Sequence, residues 1–119
     1  MKITIAQLRI SSGNISGNLE KMATVIEEAG NENNDLVVFS GAALTGPSPG
    51  QLLMQRGFIE KREEAEKTIL SLSAGFPGLA IVYGYIEAGS NTRAGHKRVI
   101  KTILNGKEIF SSSTQSSST

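Results

Sequence analysis

Apolar residues fall in short dense runs, separated by two longer stretches in which they recur with helical spacing. Ile3 to Ile10 is rich in β-branched residues and stops at Ser11-Ser12-Gly13-Asn14, which predicts a strand running into a turn. From Gly17 to Ala29 the apolar positions are Leu19, Met22, Ala23, Ile26 and Ala29, so they share one stripe of a helix. Ser16 is placed to cap its start, and Gly30 with Asn31 to close it. Leu36-Val37-Val38-Phe39 is apolar at every position, the pattern of a strand with no wet face.

Gly41 to Gly50, with Gly46-Pro47-Ser48-Pro49-Gly50 at its end, holds too many breakers to be anything but a loop. A second helix is predicted between Gln51 and Ala74, interrupted near Gly57. Its inner stripe is Phe58, Arg62, Ala65, Ile69 and Leu72, with Lys61, Glu63, Glu64 and Lys67 turned outward. Gly75-Phe76-Pro77-Gly78 ends it. Leu79 to Tyr83 is a third strand and Val99 to Leu104 a fourth, and Asn105-Gly106 predicts a tight hairpin into Lys107 to Phe110. Residues 111–119 are low-complexity and polar, which predicts a flexible Ser-rich tail behind an ordered unit of residues 1–110.

The order β-α-β-α-β-β predicts an α/β fold with one mixed sheet. If that sheet grows in one direction, two right-handed crossovers place both helices on the same face. The other face of strands that are apolar throughout then needs a cover from a second sheet, supplied by another chain or by a missing segment. Completion by a homodimer is the expectation, with the interface drawn from Ile3, Ile5, Val37, Phe39, Ile81 and Tyr83.

Composition narrows the chemistry. The 119 residues are 39% hydrophobic and 19% charged, a globular balance, and the net charge of +1 gives no global pull toward nucleic acid. With no cysteine there is no disulfide framework, thiolate metal site or thiol nucleophile. The start is too short an apolar run for a signal peptide and no apolar stretch is long enough to span a bilayer, so a cytoplasmic protein without membrane contact is expected.

The polar candidates read mostly as surface. His96, the only histidine, sits in Gly95-His96-Lys97-Arg98 without an evident acidic partner and is expected in a surface loop. Arg93, His96, Lys97, Arg98, Lys101 and Lys107 form the one local charge asymmetry. Without interleaved aromatics this reads as a solvated hairpin rather than a nucleic-acid or phosphate site. The Gly41–Gly50 loop lacks the Lys-Ser or Lys-Thr of a phosphate cradle. Glu60, Glu63, Glu64 and Glu66 pair along their own helix with Lys61, Arg62 and Lys67, and the serines of the tail have no base beside them. No catalytic, metal or cofactor residue emerges.

In order and spacing, Lys2-Ile3-Thr4-Ile5-Ala6-Gln7-Leu8, Gly17-Asn18-Leu19-Glu20-Lys21, Asp35-Leu36-Val37-Val38-Phe39 and Ala43-Leu44-Thr45-Gly46 resemble the carbon–nitrogen hydrolase (nitrilase) superfamily. Pro49, Gln51-Leu52-Leu53 and Phe58 are most similar to the glutaminase domain of glutamine-dependent NAD synthetases. Val82-Tyr83-Gly84 and Ile103-Leu104-Asn105-Gly106-Lys107 continue the likeness to about Phe110. The resemblance implies half of an α-β-β-α sandwich. It also implies a Glu base, a Lys that stabilises the oxyanion and a Cys nucleophile. Where the family has Phe-Pro-Glu this chain reads Phe39-Ser40-Gly41, and counting from Gly106 the lysine's place falls on Thr114. A cysteine counterpart lies beyond the C-terminus.

The expectation is therefore a non-catalytic nitrilase-like binding or assembly module, as a homodimer or capping a full-length family member. The alternative is part of a glutamine amidohydrolase that needs a second chain for activity. A small binder acting through the basic stretch from Arg93 to Lys107 is a third.

Overall fold

The computed structural model describes residues 1–89 and 95–116. Strand β1 (Ile3–Ala6) is shorter than its β-branched run. Leu8 and Ile10 lie partly buried against the core from an irregular segment that follows it. Helix α1 (Ile15–Asn31) begins earlier than its apolar stripe indicates. Its N-cap is Asn14 rather than Ser16: the Asn14 side-chain oxygen accepts from the Gly17 N–H at 3.0 Å, satisfying one of the donors that a helix start leaves free. Nor does the helix stop at Gly30. It closes two residues later, with Asn33 in the left-handed region (φ 58°), the Asn33 N–H on the Gly30 carbonyl and the Asn34 N–H on the Ala29 carbonyl. That is a Schellman close with asparagine in the position glycine usually takes. Gly30 serves packing instead, because a Cβ there would lie 2.2 Å from the Phe76 ring.

Strand β2 (Leu36–Phe39) follows, then a short 3-10 turn, Gly50–Met54, and helix α2 (Arg56–Ala74). The expected interruption falls at Gln55, which is extended, and Gly57 is helical. The buried stripe of α2 is Phe58, Arg62, Ala65, Ile69 and Ser73. Ser73 is fully buried at the end of the stripe, while its neighbour Leu72 is only partly so; the Ser73 hydroxyl accepts from the Gly106 N–H at 3.0 Å.

Strand β3 (Ala80–Ala88) runs five residues past Tyr83, and β4 (His96–Leu104) starts three residues before Val99. The two extensions pair with each other, Ile86 with Arg98, Glu87 with Lys97 and Ala88 with His96, so His96 is a strand residue and not part of a loop. Asn105 and Gly106 both have positive φ (52° and 76°), the geometry of a two-residue turn that matches strand twist. Strand β5 (Lys107–Ser116) continues well beyond Phe110. Ser111 to Ser116 pair with Lys101 back to His96, which corrects the expectation of a tail beginning at Ser111. Serine and threonine cannot build a core, but β4 offers them a complete ladder, and cross-strand hydrogen bonding needs no apolar side chain. Residues 117–119 lie outside the described residues.

The strands lie in sequence order β1-β2-β3-β4-β5, the first three parallel and the last two antiparallel to their neighbours. The sheet thus grows in one direction and both helices come to one face, as the handedness of crossovers requires. Met22 and Ile26 of α1 and Ala65 and Ile69 of α2 share one core with Val37, Phe39, Ile81, Tyr83 and Ile103.

Candidate functional site: the open face of the sheet

Side chains alternate across a sheet, so the register assigns each residue to a face. Val37, Phe39, Ile81 and Tyr83 are buried beneath α1 and α2. They cannot meet a partner, which corrects their place in the expected interface. Of that set only Ile3 and Ile5 point to the uncovered side, where they are 49% and 71% exposed. Ile5 pairs with Val38, Val38 with Val82, Val82 with Thr102 and Thr102 with Phe110, so one row of side chains crosses all five strands. Ile3, Leu36 and Ala80 form the row on one side of it, and Gly84, Ile100 and Ser112 the row on the other. Phe110 is 60% and Ile100 42% exposed, and Val38 and Val82 between the edges are half-buried.

Leu36, Val38, Ala80, Val82, Ile100 and Phe110 are therefore the face residues that sequence reading missed. In a strand that is apolar at every position, nothing in the residues says which parity faces the helices. The usable signal is further away: the helix-facing partner of Thr4 is Val37, and Thr4 is tied down by donating to the Asn34 side-chain oxygen at 2.8 Å.

The positions at which the resemblance implies catalytic groups lie on this same side. Gly41 follows β2 at its C-terminal end, and its carbonyl presses on β3: a Cβ on Gly84 would meet the Gly41 oxygen at 2.8 Å and the Val99 oxygen at 3.0 Å. Ends of parallel strands are where α/β sheets hold ligands. Thr114 pairs with Arg98, in the row beyond Ser112. At these two positions there is a glycine and a neutral hydroxyl. Neither can take a proton as a carboxylate does or hold a positive charge against an oxyanion.

The segment that joins Gly41 to α2 is held by buried threonine chemistry. Thr45 is fully buried; its hydroxyl accepts from the Ile86 N–H at 2.9 Å and donates to the Gly46 carbonyl at 3.0 Å, and its own carbonyl accepts from the Gly13 N–H. Asn18 donates to the Ser11 and Leu44 carbonyls and accepts from the Ser11 N–H. The segments of sequence that carry the resemblance here are thus the joints between elements. Beyond them, Pro47, Gly50, Met54, Ile86, Gly95 and His96 are among the residues that border a cavity of about 530 Å³.

The basic stretch does not form a patch. Lys97 and Lys101 turn toward the helix side, Lys97 near Glu87 (3.9 Å) and Lys101 between Glu66 (2.8 Å) and Glu108 (3.1 Å), whereas Arg98 alternates to the open side. Arg93 lies outside the described residues. Glu66 makes the expected pair with Arg62 on its own helix, yet it faces the sheet and also accepts from the Tyr83 hydroxyl at 2.6 Å. Arg62 stacks over the Tyr85 ring at 4.5 Å. Burial, then the Glu66 hydrogen bond, raise the Tyr83 pKa far above the ordinary phenol value. Burial pulls the Lys101 ammonium down, but Glu66 and Glu108 outweigh it and its pKa stands above the usual lysine range. Among the described residues no group of His, Cys, Asp and Glu could hold a metal ion, and no helix is long and apolar enough to cross a membrane.

No protein-family model matches the chain. Among characterised proteins, it is 34% identical over 70 residues to a glutamine-dependent NAD(+) synthetase of Aquifex aeolicus, covering 59% of this chain and 12% of that protein. It is 29% identical over 92 residues to the enzyme of the same name from Xylella fastidiosa, covering 76% and 16%. The chain therefore spans less than a fifth of the length of these relatives. In fold it matches an amidase of the nitrilase superfamily from Nesterenkonia, with a TM-score of 0.77 at 16% identity over 94% of this chain and 42% of that one. A glutamine-dependent NAD(+) synthetase from Cytophaga hutchinsonii matches with a TM-score of 0.74 at 17% identity, over 93% and 18%. In sequence this chain is similar to the glutamine-dependent NAD(+) synthetases, and its fold matches half of a nitrilase-like α-β-β-α sandwich.

Proposed function

We propose that this chain is a non-catalytic nitrilase-type half-domain, working in the cytoplasm as a binding or assembly module through its open sheet face. The observation that carries the reading is the pairing of an intact joint with an empty site. Thr45 and Gly46 hold the strand-to-helix connection in place, while the chain reads Phe39-Ser40-Gly41 where the family pattern has its general base. Without a carboxylate at Gly41, a cation at Thr114 or any cysteine, the chain lacks the family's base, oxyanion-stabilising lysine and thiol nucleophile. The expected result is no ammonia release from glutamine by the purified chain above a buffer control. Hydrolysis that co-purifies with the chain through successive columns and scales with its concentration would overturn the reading.

The sequence likeness to NAD(+) synthetases favours a second reading, in which the chain is part of a glutamine amide-hydrolysing domain and acts only when a separate chain covers its open face. That partner would have to bring the base, lysine and cysteine itself. Ammonia release that appears on mixing with a candidate partner, and exceeds the partner's own rate, would select this reading over the first.

A further inference from the structure

We infer that the open face closes against a second copy of this chain, sheet to sheet about a twofold axis, with Val82 near its centre. The inference rests on the reading that this face is where the module acts, and adds which partner it takes. A sheet face left to water carries polar side chains, but here Ile3, Ile5, Val38, Val82, Ile100 and Phe110 lie on it together. Both helices are spent on the other face, and among the described residues it is the segment after β2 that reaches this one, with Gly41 against Gly84 at one end of the rows.

Two properties select a second copy. A twofold interface sets a surface against itself, so a charged face would repel its own image. The three rows carry no charged side chain at their centre: Lys107, paired with Leu104 past Ala80, and Arg98, toward the end of β4 that starts at His96, lie at opposite ends of the face. The dimensions also fit. Five strands about 4.8 Å apart, each contributing about five residues, span roughly 24 by 16 Å. That footprint is under about 400 Å², but side chains stand off it, with Ile3 49%, Ile5 71%, Ile100 42% and Phe110 60% exposed, and with Thr114 and Lys107 at its rim the accessible area comes toward the ~800 Å² per partner of a stable interface. Val82 lies on the middle strand of the row that ends in Ile5 and Phe110, so a twofold axis through the middle of the face brings the two Val82 residues together.

The test is the solution mass of the full chain by light scattering after gel filtration, across a tenfold concentration range. The expected mass is twice the 12.6 kDa of the chain. Val82→Asp is expected to raise the dissociation constant at least about tenfold. Because an aspartate in mid-sheet can also prevent folding, the Ile5→Ser/Phe110→Ser double variant is measured beside it. Both positions are well exposed in the single chain, so its circular dichroism should be unchanged while its dimer weakens. The chain has no cysteine, so Val82→Cys should form a disulfide-linked dimer on mild oxidation and Lys61→Cys, on α2, should not. A monomer at every concentration, or a dimer that ignores these substitutions, overturns the inference. Glutamine hydrolysis measured on the same samples reports on the underlying reading separately, whatever the mass.

Discussion

Gly46→Ala should cost this protein about 3 kcal/mol or more, enough to shift its urea midpoint well below that of the parent chain. Two penalties add. Gly46 has φ 81°, a conformation that costs an L-residue about 1–2 kcal/mol. A Cβ there would also sit 2.4 Å from the Ser12 Cα and 2.7 Å from its hydroxyl, and backbone atoms cannot swing aside, so overpacking adds about 1–3 kcal/mol. The loss matters because the contact is a junction. The Gly46 N–H donates to the Ala42 carbonyl, Thr45 binds Gly13 and Ile86, and the Ser12 hydroxyl accepts from the Ser48 N–H, so one methyl group strains the connections of β1, β3 and the segment leading to α2. Gly41→Ala is the control: φ is 61° there but nothing lies within 4 Å of a Cβ, so only the conformational cost of about 1–2 kcal/mol should remain. Equal midpoints for the two variants would refute the account.

Glu66→Ala should destabilise by about 3 kcal/mol, at the lower end of what breaking a buried ion pair costs. The carboxylate receives Arg62, Lys101 and the Tyr83 hydroxyl between α2 and the sheet, and removing it leaves all three facing one another. Glu87 and Glu108 soften the loss by remaining beside Arg62 and Lys101 at 3.6 and 3.1 Å. The same cluster sets a pH signature. Tyr83 and Lys101 both hold their protons more tightly in the fold than in the unfolded chain. Above about pH 10, where the ordinary groups release theirs, the unfolded state binds fewer protons than the folded one, and stability falls as pH rises. The contribution is therefore complete below pH 10 and drains away on the alkaline side. Urea midpoints at pH 8 and pH 11 should differ for the parent chain and differ less for Glu66→Ala, since the hydrogen bond that raises both groups is gone.

The architecture was legible because periodicity and order report on the chain as a whole. The stripes of Met22 and Ile26 and of Ala65 and Ile69, the runs at Leu36 and Ile81, and the count of crossovers were enough to place both helices on one face. What failed was parity and extent. Val37 and Val38 are the same residue type, and only the pairing of Thr4 with Val37 tells which one faces the helices. Strand ends were missed wherever a neighbour, rather than composition, supplies the ladder, as His96 and Ser111 to Ser116 do for each other's strands. Gly30 looked like a helix stop because its other use, making room for the Phe76 ring, depends on a contact far along the chain. The residue at position 41 needed no structure, since a glycine has no side chain to place in any fold.

The strand order has a consequence in time. Each strand is bonded to the one before it in sequence, but the distances to be closed are very unequal. Lys107 finds Leu104 across a two-residue turn, whereas Ile3 must find Leu36 and Leu36 must find Ala80 with a helix in between. Closing a short loop costs less chain entropy and is faster, so β4 with β5 should be the first pair to form, and the pairings of β1 and β2 across their helices should follow. In pulse-labelled hydrogen exchange during refolding, amides of Thr102 to Phe110 should gain protection before those of Ile3 to Ala6. Simultaneous protection would mean that the sheet condenses as one event.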